Sequence, residues 1–341
     1  MSLMNQQVLF LKHPIGAPKL DDFDLVEKPV PDLQDGEVLV KTLYFSLDPY
    51  MRGRMSDAKS YAQGFPLGEV MGGGAVCVVE ESKNPTLKVG EVVMTFTGWQ
   101  TYAVLKNAEI PMLQKLPKDI QPSLFLGALG MPGFTAYYGL LHIGEPKAGE
   151  TVVVAAATGP VGSMVGQLAK ARGCHVVGIA GGQEKCRFAT HELGFDGCVD
   201  HKSDSFEEDL KKACPKGIDV YFENVGGHVF KAIFPLLNNF ARVPICGMIA
   251  SYNATSQADD PSYNLGSAIL RVILVKRMRF QGFIISEHYD HYNTFLAEVV
   301  PLVQSGKIKF KEDVVKGIEN SPQAFIGLLE GKNFGKLLIE I

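Results

Sequence analysis

The chain has 341 residues, of which 46% are hydrophobic and 21% charged, and it carries a formal net charge of −4. That is the balance of a globular protein of about two domains, with no excess positive charge to draw nucleic acid or an anionic membrane. No cationic segment precedes the short apolar run near the N-terminus, and Arg271, Lys276, Arg277 and Arg279 interrupt the apolar stretch 268–285, so neither a signal peptide nor a spanning helix is expected and the chain reads as cytoplasmic.

Residues 1–125 read as β-rich. Short apolar runs (Val38 to Val40, Ala75 to Val79, Val92 to Met94) are separated by turn signals at Pro29, Pro31, Asp35-Gly36, Asn84-Pro85 and Gly90, which fits a partly open barrel-like domain. Two stretches stand out there. Pro49 ends a strand before Tyr50 and Arg52, which are expected in a loop where their side chains reach a cleft. Pro66 to Gly74 is rich in glycine and permits close backbone approach. From composition alone a charged surface turn and a bulged strand explain these two stretches equally well. Residues 126–150 form a helical connector that starts near Pro132.

The most informative stretch is 151–185, TVVVAAATGPVGSMVGQLAKARGCHVVGIAGGQEK. An apolar run suited to a doubly buried strand leads into Gly159-Pro160-Val161-Gly162. Val161, Met164, Val165 and Leu168 then fall on one helical stripe, and His175 to Ala180 forms a second strand. A glycine turn between a parallel strand and a helix presents backbone N–H groups to a pyrophosphate. The match to G-x-G-x-x-G lacks its first glycine, because Ala157 stands there, and the β-α-β context is what carries the dinucleotide reading. At the tip of the second strand an NAD site places Asp or Glu, whereas this chain has Ala180-Gly181-Gly182-Gln183 and then Lys185, which suits the 2′-phosphate of NADPH.

Strands and helices keep alternating beyond that unit: strands near Cys198-Val199, Ile218 to Phe222, Ala241 to Cys246 and Met278 to Ile285, with helices over 206–214, 228–237, 265–275 and 289–305. Such alternation predicts a doubly wound parallel sheet, an α/β fold with ligands outside the carboxyl ends of its strands. Those ends carry Asn224, Gly247 to Tyr252 and Phe283 to Ile285. The tail supplies a strand, a helix from Ser321-Pro322 and a last strand, is too short for its own core, and is expected to pack on the first domain. The six cysteines show no C-x-x-C pair, which excludes a disulfide framework or zinc lobe.

Taken together, LDPYMRGRM (47–55), PLGEVMGGG (66–74), GMPGFTAYYGL (130–140), AAATGPVGS (155–163), YFENVGG (221–227), ICGMIASYN (245–253) and NFGK (333–336) resemble the zinc-independent medium-chain dehydrogenase/reductases. The likeness is to the branch of prostaglandin reductases, alkenal double-bond reductases and bacterial curcumin reductases, and it spans nearly the whole chain. It implies a GroES-like catalytic domain (1–125 with 306–341), a Rossmann domain (126–305), a cleft between them, and frequently a homodimer. It further implies NADPH-dependent reduction of the C=C bond of small apolar α,β-unsaturated ketones and aldehydes. By motif match Gly159, Pro160, Val161 and Gly162 would hold the pyrophosphate and Lys185 the 2′-phosphate. Asn224, Cys246, Gly247, Ser251, Tyr252, Phe283, Ile284, Ile285 and Asn333 would line the rest of the cofactor. One departure is Asp200-His201-Lys202, where relatives often have tyrosine in the middle. His201 can still donate to the phosphate, and if protonated it would make cofactor affinity rise as pH falls.

The zinc branch needs Cys and His ligands, but its G-H-E segment reads Gly68-Glu69-Val70 here and the 47–55 loop has no Cys, so no metal is expected. Without one, a hydrogen-bond donor must meet the carbonyl oxygen as charge develops. An ordinary phenol, with a pKa near ~10, keeps its proton at neutral pH. Tyr252 is the first candidate for this catalytic role and Tyr50 the second. Tyr50, Arg52 and Tyr61 are candidates for substrate contact. A quinone reductase and a non-catalytic NADPH-binding sensor are the competing readings, separable by assays on quinones and enones.

Overall fold

The computed structural model describes residues 3–255 and 266–341, so the first residue of the helix expected over 265–275 lies outside the described residues. The chain divides into two units, Met1–Gly127 with Glu312–Ile341, and Ala128–Lys311. The first unit opens with β1 (Met4–Phe10), β2 (Phe23–Pro29), β3 (Val38–Ser46), α1 (Tyr50–Arg54), β4 (Ala75–Ser82), β5 (Val92–Thr95), β6 (Tyr102–Leu105) and β7 (Gln114–Lys115). The second holds α2 (Met131–Tyr138), β8 (Thr151–Ala155), α3 (Pro160–Ala171), β9 (His175–Ala180), α4 (Gln183–His191), β10 (Gly197–Asp200) and α5 (Phe206–Ala213). It continues through β11 (Ile218–Phe222), α6 (Gly227–Ile233), β12 (Leu237–Ile245), α7 (Gly266–Lys276), β13 (Arg279–Gly282) and α8 (Tyr292–Gln304). The chain then returns to the first unit with β14 (Glu312–Lys316), α9 (Ser321–Leu329) and β15 (Lys336–Glu340).

In the first unit β1 and β2 form an antiparallel pair, and a seven-stranded sheet runs β14-β15-β3-β4-β5-β7 with β6 also on β3. Its core centres on Trp99, fully buried and stacked against Phe23 at 5.8 Å and Phe45 at 6.0 Å. Phe325 of α9 meets the same indole edge-on at 5.6 Å, so the tail helix supplies part of this unit's aromatic core. Within the unit the segment after Pro49 is one turn of helix, where the sequence suggested a loop. Pro49 already sits at helical φ and ψ (−59°, −30°), which preorganises the turn.

In the second unit the six strands found among the described residues run β10-β9-β8-β11-β12-β13, with parallel registers throughout. The order reverses between β8 and β11, the switch point at which doubly wound sheets bind ligands. All five residues of β8 are buried, as a strand covered on both faces requires. The expected β-α-β unit is present, and Met164, Val165 and Leu168 turn inward from α3. Boundaries move in several places, and the helix expected over 228–237 already ends at Ile233. β12 starts at Leu237, earlier than expected, because Phe240 takes a left-handed conformation (φ 63°) and the pairing register shifts. β13 is confined to four residues, preceded by a left-handed Arg277 (φ 53°). The helix expected from 289 is a 3-10 segment, Ile285–His291, that breaks at His288 before α8.

Candidate functional site

The switch point is built from the turn between β8 and α3. Gly159 caps α3 and Pro160 fills its first position, so Val161 and Gly162 head the helix with backbone N–H groups that no preceding turn can use. Gly159 N–H donates to the Ala156 carbonyl at 3.0 Å, and Ser163 N–H to Gly159 at 2.9 Å. A Cβ on Gly162 would run into the Ala156 carbonyl, 2.8 Å from its carbon, so the helix can lie this close to the strand end only with glycine there. Ala157, at the first motif position, is fully buried and occupies space left by Gly178 on β9, where a Cβ would stand 2.7 Å from the Ala157 methyl. The left-handed residue of this turn is Ala156 (φ 53°).

The tip of β9 forms a second corner. Gly182 adopts φ 102°, a conformation open to glycine, and its N–H donates to Asp200 Oδ1 at 2.8 Å. Asp200 also accepts from Lys202 N–H at 3.0 Å. Burial of its carboxylate is outweighed by those two backbone donors, and its pKa falls below the usual range. Lys185 lies in the first turn of α4. A Cβ on Gly181 would lie 3.0 Å from His201 Nε2 and 3.1 Å from Lys202 Cε, so both side chains flank the tip. The His201 ring shares a hydrogen bond with His228, Nδ1 to Nε2 at 3.2 Å. Burial, with the charge of His228 beside it, pulls His201 below the ordinary imidazole range. That shifts any protonation of His201 to lower pH than the sequence suggested. Asp200, Lys202 and His228 were not among the sequence candidates. The first two lay in a tripeptide already under scrutiny, whereas nothing in the sequence ties His228 to a residue 27 positions away.

Beyond the switch point, Asn224 Nδ2 donates to the Ala155 carbonyl at 2.8 Å and joins β11 to β8. Cys246 and Gly247 donate their N–H groups to the Glu223 carbonyl at 3.0 and 3.2 Å. The Cys246 thiol is pushed up to about 12 by burial and the neighbouring Glu223 charge. Glu223 is itself 3% exposed. Its Oε1 accepts from Tyr221 Oη, Val225 N–H and Gly226 N–H at 2.9, 2.7 and 2.9 Å, while Oε2 has no hydrogen-bond partner. Burial raises its pKa against those donors. A Cβ on Gly247 would stand 3.0 Å from the Tyr252 hydroxyl and 3.6 Å from the Asn224 carbonyl, so the phenol reaches over the end of β12. Ser251 closes the 3-10 turn before it, donating its N–H to Met248 at 2.9 Å. The Phe283 ring packs edge-on against Phe222 at 6.4 Å and tilted against Tyr138 at 6.2 Å, and Ile284 and Ile285 follow it into the next turn, partly exposed.

In the first unit Tyr50 opens α1 and packs on the core. Arg52 is buried, and its guanidinium donates to the Gly16 carbonyl at 2.7 Å. That bond ties it to the unit's own backbone. Tyr61 is 61% exposed on the surface. Asn333 Nδ2 donates to the Gly335 carbonyl at 2.8 Å, in a turn whose Phe334 and Gly335 N–H groups both reach Asp313 Oδ2. The Lys336 ammonium, 2.5 Å from Asp48 Oδ1 and 3.0 Å from the Leu47 carbonyl, joins that turn to the segment bearing Tyr50. Among the described residues no three His, Cys, Asp or Glu side chains gather as a metal site, and no helix is long and apolar enough to cross a membrane.

Two family models match the chain: the N-terminal domain of oxidoreductase over residues 6–113, and zinc-binding dehydrogenase over residues 160–302. An NADPH-dependent curcumin reductase of Escherichia coli (strain K12) is 52% identical over 338 residues, 99% of this chain and 97% of the relative. A 2-alkenal reductase (NADP(+)-dependent) of Nicotiana tabacum is 38% identical over 343 residues, 99% of this chain and 97% of the relative. The crystal structure of CurA in complex with NADPH from Vibrio vulnificus superposes with a TM-score of 0.93 at 53% identity, covering 98% of each chain.

Proposed function

The chain belongs to the zinc-independent medium-chain dehydrogenase/reductases, in the branch of curcumin, alkenal and prostaglandin reductases, and from that membership we propose how its residues divide the work. It reduces the C=C bond of α,β-unsaturated ketones and aldehydes with NADPH. The observation that carries this reading is the likeness to the curcumin reductase, which spans 99% of this chain. The glycine cradle is compatible with a bound dinucleotide, because a Cβ at Gly162 would close the approach to the strand end.

When bound, NADPH supplies a hydride to the β-carbon of the substrate. The protein's part is to hold and polarise. The N–H groups of Val161 and Gly162 and the positive end of α3 would hold the pyrophosphate. Lys185, with Lys202 and His201 beside the β9 tip, offers donors to the 2′-phosphate. Asn224, Cys246, Gly247, Ser251, Phe283, Ile284 and Ile285 would line the remainder within the second unit, and the motif match alone assigns Asn333 to the cofactor. Tyr252 would donate a hydrogen bond from its hydroxyl to the carbonyl oxygen as negative charge gathers there, and the enolate would then take a proton from solvent at its α-carbon. Tyr50 is the alternative donor. Arg52, whose guanidinium donates to the Gly16 carbonyl, shapes the Tyr50 segment.

We also infer a homodimer and a cytoplasmic location. Among the described residues β13 is the last strand of the parallel sheet, and on α7, which packs on β12, Leu270, Leu274 and Val275 are 68%, 76% and 65% exposed. An open edge next to an apolar patch suits a second copy of the chain. Sedimentation at micromolar concentration tests this, and a monomer there refutes it. The function itself is tested by following NADPH consumption with a panel of enones, enals and simple quinones, with product identification. Saturated ketones or aldehydes are the expected products. Turnover confined to quinones, or tight NADPH binding without turnover, overturns the reading.

A further inference from the structure

The loop that carries Tyr252 hangs from the end of the neighbouring strand. After β12 ends at Ile245, four N–H groups of this loop donate to three successive carbonyls that follow β11. Cys246 and Gly247 donate to Glu223, Ile249 to Asn224 at 3.2 Å, and Ala250 to Val225 at 3.0 Å. The 3-10 turn Ile249–Ser251 is thereby seated on residues 224 and 225. Tyr252 follows it, with its own N–H donating to the Ile249 carbonyl at 3.3 Å. The direction of the carbonyls at 223–225 therefore decides where the phenol lies.

Those carbonyls are set by the Glu223 side chain. Its Oε1 accepts from the N–H groups of Val225 and Gly226 at 2.7 and 2.9 Å and folds the chain into a turn that leads into α6. Gly226 and Gly227 stand at φ 73° and 57°, so the turn runs through two residues that accept this backbone without selecting it. The carboxyl makes the selection. Tyr221 Oη donates to the same oxygen at 2.9 Å and holds the carboxyl in place. The glycines also let turn and loop lie close, since a Cβ on Gly226 would stand 3.4 Å from Met248 Cβ and one on Gly227 3.3 Å from Ala250 Cβ. Glu223 is 3% exposed, so bulk water cannot replace it as the acceptor.

We propose that Glu223 is a positioning residue for the reduction, acting through this turn and the loop seated on it to place the Tyr252 hydroxyl. The inference rests on the donor role given to Tyr252 above. The part played by Glu223 is that of an acceptor, because Oε1 makes all three bonds while Oε2 makes none. A donor displaced from the point where charge develops loses much of its effect on the barrier. The corners assigned to the pyrophosphate and the 2′-phosphate are built from other residues, so most of the hold on the cofactor should survive the loss of this carboxyl.

The test uses the full chain with two substitutions, each made alone and together with Tyr252→Phe. Glu223→Met fills a similar volume and offers no oxygen, whereas Glu223→Gln keeps an amide oxygen for the three donors. The kcat and KM for an enone with NADPH are measured beside NADP⁺ affinity by calorimetry, whose stoichiometry counts folded sites. Glu223→Met should lower kcat per folded site by about 10²-fold, the cost of a misplacement near ~1 Å. Its NADP⁺ affinity should change by less than about fivefold, the lower end of ordinary coupling between sites. Glu223→Gln should restore most of the lost kcat. In the Tyr252→Phe background Glu223→Met should add little, because its effect passes through the missing hydroxyl. Additive losses in the two backgrounds overturn the proposal, as does an affinity loss as large as the loss of kcat, or a Glu223→Gln protein as impaired as Glu223→Met. Should Glu223→Met not fold, Glu223→Gln decides through hydrogen exchange of the Ile249 and Ala250 amides. Retained kcat with both amides protected as in the wild type supports the role; lost kcat, or retained kcat with the amides exchanging freely, overturns it. An unchanged kcat in Tyr252→Phe alone overturns the donor reading itself, and this role with it.

Discussion

Replacing Lys336 by Met removes the ammonium that joins β15 to the segment before α1. The Lys336 and Asp48 side chains are 3% and 8% exposed, so water screens neither charge. The ammonium lies 2.5 Å from Asp48 Oδ1 and 3.0 Å from the Leu47 carbonyl, and Ser46 Oγ donates to the other carboxylate oxygen. Methionine fills much of the volume of the lysine stem, so lost packing is a minor part of the effect. The carboxylate remains buried with the serine hydroxyl and no cation. Breaking a buried pair from one side costs about 3–5 kcal/mol. At about 2–4 °C per kcal/mol for a unit of this size, the unfolding midpoint should fall by roughly 6–20 °C. The double variant Asp48→Leu with Lys336→Met removes both charges, and it should recover most of the loss because an apolar pair of similar volume replaces an ion pair at little or no cost. Thermal and urea unfolding of the three proteins give the comparison. A loss below about 1 kcal/mol for the single variant, as for an exposed pair, refutes the reasoning. So does a double variant no more stable than the single one.

Gly162→Ala should weaken NADP⁺ binding more than tenfold, or prevent folding, since the new methyl meets backbone. Gly159→Ala, whose Cβ would lie 3.3 Å from the Ala156 carbonyl, should be milder, and equal effects in calorimetry would count against the cradle. Tyr252→Phe should lower kcat on an enone by about 10²–10³, the usual cost of one oxyanion donor, with NADP⁺ affinity little changed; an unchanged kcat would transfer the role to Tyr50. Glu223 has a folded pKa above its ordinary 4.5, so its stabilising contribution is full below that value and is lost as pH rises through the raised one. Urea unfolding of wild type and Glu223→Gln should therefore show the wild-type advantage shrinking as pH climbs above 4.5, and a difference independent of pH would remove the assignment.

Local pattern carried most of the second unit. The run Val152 to Ala157 suited a strand covered on both faces, and the strand ends two residues earlier, at Ala155, while Val161, Met164, Val165 and Leu168 marked one side of a helix. The Tyr50 segment was harder, because proline ends a strand and starts a helix equally well, and five residues are too few to show a period. What sequence could not supply is pairing across distance. Asp200 fastening Gly182, His228 meeting His201 and Lys336 meeting Asp48 each join residues 18 or more positions apart, and no spacing rule encodes them.

The missing glycine of the dinucleotide motif belongs to that same class. Read along the chain, Ala157 is a defect at the position where a tight turn calls for glycine. Read across the sheet, the space its methyl needs is provided by Gly178 on the neighbouring strand. The left-handed backbone is carried one residue earlier by Ala156, at a cost of about 1–2 kcal/mol for a non-glycine residue. Two requirements that one glycine usually meets, small volume and permissive backbone, are here divided between Gly178 and Ala156. If that division is correct, Ala156→Gly relieves backbone strain without opening a cavity and should leave stability unchanged or raise it. Gly178→Ala should be strongly destabilising, since its Cβ would stand 2.7 Å from the Ala157 methyl, 3.1 Å from Phe195 Cδ2 and 3.2 Å from Cys198 Sγ. Adding Ala157→Gly to Gly178→Ala should return part of the lost stability, because it removes the methyl that the new side chain meets. Urea unfolding of the four proteins decides it: if Ala157→Gly gives no recovery in the Gly178→Ala background, the two positions do not share the space and the motif is simply incomplete.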